Sequence, residues 1–232
     1  MLAEAQSNTA HAGDLIYVHD PMCSWCWAFR PQWEQLLRAL PDGLGTVRIL
    51  GGLAPDSDVP MPEPMRRHLQ EVWRTIADTV PGTRFNHDFW RRCEPRRSTY
   101  PACRAVIAAR NQGDQWDEAM TLGIQTAYYL DARNPSEDHV LIEIAGSIGL
   151  DADRFAMDLN AGQTHEALLG EIALSRSLGV SGFPTLMLAR SGQVARLPLD
   201  YNDSSATLKA IRSGLEALQA GRFANSNSPN DE

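Results

Sequence analysis

The sequence predicts an α/β protein in which a long all-helical segment interrupts a smaller arrangement of strands and helices. Two observations support this prediction. A strand–helix–strand pattern near the N-terminus and a helix–strand–strand–helix pattern near the C-terminus are separated by about a hundred residues of helical periodicity. Between the first predicted strand and the first predicted helix stand two thiols three residues apart, those of Cys23 and Cys26.

The N-terminal pattern consists of two strands around one helix. Leu15–His19 is a short apolar run with Tyr and Val, which is typical of a buried strand. A broad apolar stripe predicts a helix from about Ser24 to Leu40, and Pro41-Asp42-Gly43 ends it. Val47–Leu53 is the second predicted strand. A right-handed crossover through the helix would make the two strands parallel.

Helical periodicity dominates the middle of the chain, from Pro60 to about Gly162. Pro, Gly and Asn residues separate the individual segments. Together with one more helix after this block, the predicted helices cover residues 63–79, 86–92, 101–111, 115–130, 136–148, 151–160 and 165–178.

The C-terminal pattern returns to strands. Thr185–Ala189 and Gln193–Pro198 are predicted as strands joined by a hairpin turn at Ser191-Gly192. A last helix is predicted over about Ser204–Ala220, with a polar residue available to cap its N-terminus.

The order of elements predicts the domain organisation. Without the helical block, a β-α-β unit followed by α-β-β-α is the thioredoxin topology. We therefore predict a discontinuous thioredoxin-fold domain formed by residues 14–60 and 163–221, and an inserted helical domain of residues 61–162. Residues 1–13 and 222–232 are polar and rich in small side chains, and we expect both to be disordered tails.

The Cys-Ser-Trp-Cys segment predicts redox chemistry. A Cys-x-x-Cys pair at the end of a strand and the start of a helix is the thioredoxin-type arrangement. If Cys23 is the first helical residue and Cys26 lies in the first turn, the two sulfurs are close enough to bridge. The Cys23 sulfur would also face the unpaired amides and the positive dipole end of the helix, which favours the thiolate. The thiolate is the nucleophile in disulfide exchange.

A structural zinc site is the alternative use of such a pair. Tetrahedral zinc usually needs a second pair of ligands at similar spacing. Cys93 and Cys103 are nine intervening residues apart, and no closely spaced pair of histidines follows them. We therefore expect no metal. Arginines around Cys93 would lower the pKa of its thiol if that thiol were exposed. Cys103 is typical of a small buried core residue. The sequence does not decide whether Cys93 and Cys103 form a disulfide.

The quoted segments resemble a known family. Asp20–Phe29, the helical insertion and Gly179–Pro184 together resemble the DsbA-like thioredoxin-fold proteins. Within these, the chain is similar to a branch of predicted protein-disulfide isomerases related to FrnE-type proteins and 2-hydroxychromene-2-carboxylate isomerases. The resemblance spans about residues 14–220. It implies that Cys23 is the attacking cysteine and Cys26 the resolving cysteine.

The resemblance also implies a substrate groove. Pro184 matches the proline that is cis in these folds, and Phe183 precedes it. A cis bond there would turn the Phe183 backbone toward a passing peptide, which could pair with it as an added strand. Ser24 and Trp25 complete the predicted substrate-binding residues. They replace the Pro-His dipeptide of strongly oxidising members, so strong oxidising power is not expected.

One family feature is missing from this chain. Thioredoxin-type proteins usually carry a buried acidic residue six positions before the first cysteine, and Tyr17 occupies that position here. Any proton relay must therefore use another group. We take His19, Asp20 or water as the candidates for tuning Cys23.

Three functions stay open at this point. The first is a thiol–disulfide oxidoreductase, a reductase or isomerase, acting on protein or low-molecular-weight disulfides and thiols. The second is a glutathione-dependent isomerase or transferase, although the related isomerases typically have serine where Cys23 stands. The third is a non-catalytic thioredoxin-like protein that binds a peptide or a metal. We expect no cofactor, with glutathione as a candidate co-substrate.

Composition argues against two classes of binding partner and indicates the cellular compartment. The formal net charge of -8 argues against nucleic acid and anionic membranes as main partners. No run of about 18 apolar residues predicts a membrane span. Residues 1–14 have neither a cationic start nor an apolar core, so we expect no secretory signal and a cytoplasmic protein.

Overall fold

The computed structural model describes residues 11–219, and within them it contains one four-stranded sheet and nine helices. The order of elements is the predicted one. The elements are β1 (Gly13–His19), α1 (Ser24–Ala39), β2 (Leu44–Leu50), α2 (Glu63–Thr79), α3 (Phe89–Arg92), α4 (Tyr100–Arg110), α5 (Trp116–Tyr129), α6 (Asp138–Ile148), α7 (Ala152–Leu159), α8 (Gly162–Ser177), β3 (Thr185–Arg190), β4 (Gln193–Leu197) and α9 (Ser204–Gln219).

The sheet has the strand order β2-β1-β3-β4. Strands β3 and β4 form the predicted antiparallel hairpin, with Arg190 opposite Gln193. The two residues of the turn, Ser191 and Gly192, both have positive φ, 51° and 79°. A two-residue turn with positive φ at both positions matches the twist of the strands that it joins.

Three predicted boundaries were wrong by about three residues. Strand β2 covers Leu44–Leu50 and not Val47–Leu53, because Gly52 has a φ of +62° and the chain leaves the extended conformation there. Helix α3 begins at Phe89 and not at residue 86, since the side chain of Asn86 accepts the Asp88 amide hydrogen in a turn of its own. Helix α8 begins at Gly162, three residues earlier than predicted.

The described residues divide into two compact units. The first comprises residues 11–17, 31–48 and 185–219, and the second comprises residues 18–30 and 49–184. The predicted domain boundaries at 60/61 and 162/163 stay a prediction. Of the two predicted tails, only residues 11–13 are described, and β1 begins at Gly13. Residues 1–10 and 222–232 lie outside the described part of the chain.

The first unit contains most of the sheet and α9. Tyr17 of β1 stacks on Trp33 of α1, with ring centroids 4.4 Å apart. Helix α9 contacts both β3 and β4, and Gly214 allows it to approach Leu188 closely. No helix among residues 11–219 is long and apolar enough to cross a membrane.

The second unit is built around α4 and an aromatic cluster. Ten consecutive residues of α4, Tyr100–Ala109, are buried, so that this helix is enclosed by its neighbours. The indole of Trp73 is 1% exposed. It lies within 6.0 Å, centroid to centroid, of six surrounding aromatic rings, those of Phe85, His87, Phe89, Trp90, Tyr128 and Tyr129.

We predict that Trp73→Ala destabilises the protein by roughly 3–5 kcal/mol, because it removes a buried indole and leaves a cavity among rings that cannot collapse fully. Urea unfolding followed by circular dichroism measures this change. Val59→Ala is the control, since Val59 is 67% exposed and its loss is expected to change stability by less than about 0.5 kcal/mol. Equal effects of the two substitutions would contradict the central position of Trp73.

Candidate dithiol active site

The two cysteines of the motif lie at the N-terminus of α1. The helix begins at Ser24, as predicted, so Cys23 is the residue before its first turn. Its carbonyl accepts the Trp27 amide hydrogen (3.0 Å), and its sulfur accepts the Cys26 amide hydrogen (3.4 Å). The sulfur of Cys23 therefore occupies the position of an N-cap acceptor.

The cis proline loop lies against the first cysteine. The Phe183–Pro184 peptide bond is cis, as predicted. The thiol of Cys23 donates to the carbonyl oxygen of Phe183 at 3.5 Å. Pro184 is buried, whereas Phe183 is only partly buried and Ser181 and Gly182 are exposed. The Cys23 sulfur thus lies beside a loop that is partly exposed to solvent.

A glycine makes room for this loop. A Cβ atom on Gly51 would lie 2.0 Å from two ring carbons of Phe183, a separation that no real contact allows. The Gly51 amide hydrogen is donated to the carbonyl of His19 at 2.7 Å, which joins the segment after β2 to the end of β1. The absence of a side chain at Gly51 is therefore what allows Phe183 to pack here.

A buried carboxylate lies directly before the motif. Asp20 is 0% exposed. One oxygen, Oδ1, accepts the Met22 amide hydrogen at 2.8 Å. The other, Oδ2, accepts the Leu53 amide hydrogen and the Thr99 hydroxyl hydrogen, both at 2.7 Å, and the Cys103 thiol at 3.5 Å. Burial raises the pKa of Asp20, and these donors oppose that rise.

The second cysteine is kept as a thiol. Cys26 is 0% exposed, whereas Cys23 is 6% exposed. Burial raises the pKa of Cys26 well above its usual range, the neighbouring Cys23 sulfur raises it further, and the Asp20 carboxylate adds to the rise. The main chain of Asp20 acts in the opposite direction and lowers the pKa of Cys26. Both cysteines are therefore buried, but Cys23 retains a small exposed fraction and Cys26 retains none.

The remaining predicted site residues lie around this pair. Ser24 and Trp25 are partly buried and so retain some exposed surface beside the motif. His19 is buried at the end of β1. Whether Ser24 and Trp25 bind substrate, and whether His19 tunes Cys23, stay predictions.

The other two cysteines are free thiols with separate partners. The Cys93 thiol donates to the carbonyl of Ala132 at 3.2 Å. Burial raises the pKa of the Cys93 thiol, and the charge of Arg92 opposes this rise only in part. Cys103 is fully buried as expected, but its thiol points to Asp20. Within residues 11–219, no group of three or more His, Cys, Asp or Glu side chains is arranged to hold a metal ion.

Sequence reasoning missed the residues that surround the motif from elsewhere in the chain. Gly51, Leu53, Thr99 and Cys103 are 28 or more positions away from Cys23. The Gly51-Gly52 pair was a usable signal for a close approach of backbone to another group. No local pattern brings Cys103 to the motif, because it is an ordinary residue near the start of a buried helix.

Comparison with known proteins identifies the family and the fold of this chain. A family model described as Thioredoxin matches residues 16–195. Two curated relatives, the ClpXP adapter proteins SpxH of Bacillus subtilis (strain 168) and Halalkalibacterium halodurans, are each 27% identical over 168 and 178 residues. These alignments cover 72% of this chain, but only 55% and 56% of the relatives. The chain thus spans about half the length of the curated relatives that it matches.

Solved structures with the same fold cover nearly the whole chain. A proposed protein disulfide isomerase from Nitrosomonas europaea superposes with a TM-score of 0.77 at 23% identity, covering 90% of this chain and 98% of that one. The cytosolic disulfide reductase DsbM from Pseudomonas aeruginosa superposes with a TM-score of 0.68 at 27% identity, covering 91% and 100%. These matches confirm the predicted α/β fold class, a DsbA-like thioredoxin fold with a large all-helical insertion.

We predict that Gly51→Ala lowers the reactivity of Cys23. The added methyl group would overlap the Phe183 ring at 2.0 Å, so the ring and the carbonyl that contacts Cys23 must move. The rate of Cys23 alkylation by iodoacetamide, followed by mass spectrometry, measures the effect, and we expect a change of about threefold or more. Gly170→Ala is the matched control, because nothing lies within 4 Å of a Cβ atom at that position. Equal alkylation rates in both variants would contradict the role given to Gly51.

Proposed function

The chain belongs to the thioredoxin family, and from this premise we propose that it is a thiol–disulfide oxidoreductase that uses Cys23 and Cys26 as its dithiol. The observation that carries the proposal is the position of the Cys23 sulfur. It accepts an amide hydrogen at the N-terminus of α1 and lies 3.5 Å from the carbonyl that precedes the cis proline. A nucleophile and a main-chain segment that can hold a peptide thus lie side by side.

The proposed cycle has two exchange steps. The Cys23 thiolate attacks one sulfur of a substrate disulfide, forms a mixed disulfide and releases the other substrate sulfur as a thiolate. Cys26 then loses its proton and attacks the Cys23 sulfur, which forms the Cys23–Cys26 disulfide and releases the second substrate thiolate. The substrate gains two electrons, which the dithiol loses. A reducing thiol must then restore the dithiol.

We propose that the direction is reduction or isomerisation in the cytoplasm. The name of the Pseudomonas aeruginosa neighbour, a cytosolic disulfide reductase, supports this direction. Cytoplasmic thiol buffers keep dithiols reduced. A difference of about 30 mV in reduction potential shifts such a couple by roughly 1.4 kcal/mol, so the Ser24-Trp25 dipeptide and the surrounding charges can set the direction.

The proposed substrates are protein or low-molecular-weight disulfides. The SpxH relatives are named as adapter proteins, which supports a protein partner. A neighbouring structure of DsbM was solved with GSH, which makes glutathione our candidate co-substrate. Because the chain spans about half of the SpxH relatives, we do not extend their adapter role to it.

We predict that Cys23→Ser reduces disulfide reductase activity to background, because a hydroxyl at that position does not ionise near neutral pH and cannot start the exchange. Insulin reduction by dithiothreitol, followed by turbidity, measures the activity. Cys93→Ser is the matched control and should retain the wild-type rate. Wild-type activity in the Cys23→Ser protein would refute the proposed function.

Cys26→Ser is expected to stop the cycle after its first step, since the mixed disulfide on Cys23 then has no neighbouring thiol to resolve it. Intact mass spectrometry after incubation with oxidised glutathione should show one stable glutathione adduct on Cys23. The wild-type protein should instead end as the Cys23–Cys26 disulfide. Glutathione-dependent turnover of a small aromatic substrate that survives Cys26→Ser would support the isomerase alternative.

A further inference from the structure

The glycine that makes room for the cis proline loop, Gly51, is held on both sides by helix α8. The residue before it, Leu50, donates its amide hydrogen to Glu171 Oε2 at 2.6 Å. A Cβ atom on the residue after it, Gly52, would lie 2.4 Å from Cδ1 of Ile172, so these two residues are in close contact. Consecutive residues of one helix therefore contact the chain immediately before and immediately after Gly51.

The Leu50 amide takes its acceptor from outside the sheet. The next amide along the chain, that of Gly51, donates its hydrogen to the His19 carbonyl of β1 at 2.7 Å. Neighbouring amides of an extended segment point to opposite sides, so the Leu50 amide points away from β1, and β2 lies at the edge of the described sheet. Because Leu50 is 0% exposed, water does not reach this amide, and Glu171 satisfies it.

Both oxygens of Glu171 are occupied by donors. Arg110 of α4 donates from Nη1 to Glu171 Oε1 and from Nε to Asp117 Oδ2 of α5. Glu171 therefore faces the Leu50 amide with one oxygen and the Arg110 guanidinium with the other. A carboxylate offers two acceptor oxygens, whereas a glutamine side chain offers one oxygen and a donating NH2 group. A glutamine at this position would leave one of the two donors without an acceptor.

Helix α8 also leads to the other side of the contact that Gly51 makes. The helix ends at Ser177, and the cis proline loop with Phe183 follows it. A Cβ atom on Gly51 would lie 2.0 Å from the Phe183 ring, so Gly51 cannot move toward this ring without displacing it. The carbonyl of Phe183 in turn accepts the Cys23 thiol at 3.5 Å. The position of Gly51 thus affects the main chain that faces Cys23.

We propose that Glu171 is a positioning residue of the dithiol site. By accepting the Leu50 amide hydrogen, it keeps Gly51 against Phe183 and so fixes the main-chain segment with which a substrate peptide pairs. The inference rests on the proposed function, since it describes how that segment is held in place for the substrate of Cys23. Glu171 acts through Leu50 and Gly51, so its loss should weaken substrate binding more than it slows the exchange steps.

Hydrogen exchange of the Leu50 amide, followed by NMR, tests the contact independently of activity. This amide should be protected in the wild-type protein, because it is buried and bonded to a carboxylate. Glu171→Gln should raise its exchange rate about tenfold or more, because the charged guanidinium of Arg110 is the stronger competitor for the one remaining oxygen. A wild-type Leu50 amide that exchanges as fast as an amide of an unfolded peptide would overturn the proposal.

Insulin reduction by dithiothreitol, measured over a range of insulin concentrations, separates KM from kcat. We expect Glu171→Gln to raise KM about fivefold and to leave kcat within about twofold of wild type. A merely structural role would instead lower the folded fraction, which reduces the apparent kcat and leaves KM unchanged. Glu166→Gln is the matched control, because it neutralises an exposed glutamate of the same helix and should change neither constant. An unchanged KM in Glu171→Gln would overturn the proposal.

A rescue variant distinguishes the bond to Leu50 from the charge of Glu171. In the double variant Glu171→Gln/Arg110→Met, the guanidinium no longer competes, so the glutamine oxygen can accept the Leu50 amide hydrogen. KM and the Leu50 exchange rate should return to within about twofold of wild type, although both charges are gone. This variant also provides the test if Glu171→Gln alone does not fold. A raised KM in the folded double variant would overturn the proposal, whereas absence of insulin reduction by the wild-type protein would count against the proposed function.

Discussion

The contact between the Cys23 thiol and the Phe183 carbonyl is the constraint on which this site depends. It joins positions 160 residues apart in the sequence, and every inserted helix lies between them. Such a contact is kept only if the intervening chain folds to a fixed shape, because a flexible loop of that length would seldom close to the same place. The buried α4 and the aromatic rings around Trp73 supply that fixed shape.

Unequal burial gives the two thiols of the motif different chemistry. Cys26 is completely buried, and loss of hydration raises its pKa. Cys23 retains a small exposed surface and accepts an amide hydrogen at a helix N-terminus. The order of events in the proposed cycle, first Cys23 and then Cys26, follows from this difference without any further assumption about the substrate.

Local patterns were sufficient for the elements and for the motif. Helix α2 has the predicted bounds, because its apolar period and its flanking prolines lie within the segment itself. The dithiol at the start of α1 and the cis bond before Pro184 were also predicted from short motifs and a family resemblance. The predicted bounds of β2 were three residues too late in the sequence. The strand ends before Gly51, where Phe183 packs, and Phe183 is far from this strand in the sequence.

Contacts between distant segments could not be predicted in this way. An acidic residue three positions before Cys23 is visible in the sequence, but its four donors come from the motif loop, the segment after β2 and the start of α4. Only folding brings Thr99 and Cys103 to Asp20. Since both belong to the predicted helical insertion, that insertion supplies two of the hydrogen-bond donors to the carboxylate directly before the motif. A change deep in α4 can therefore alter the chemistry of the motif without touching either of its cysteines.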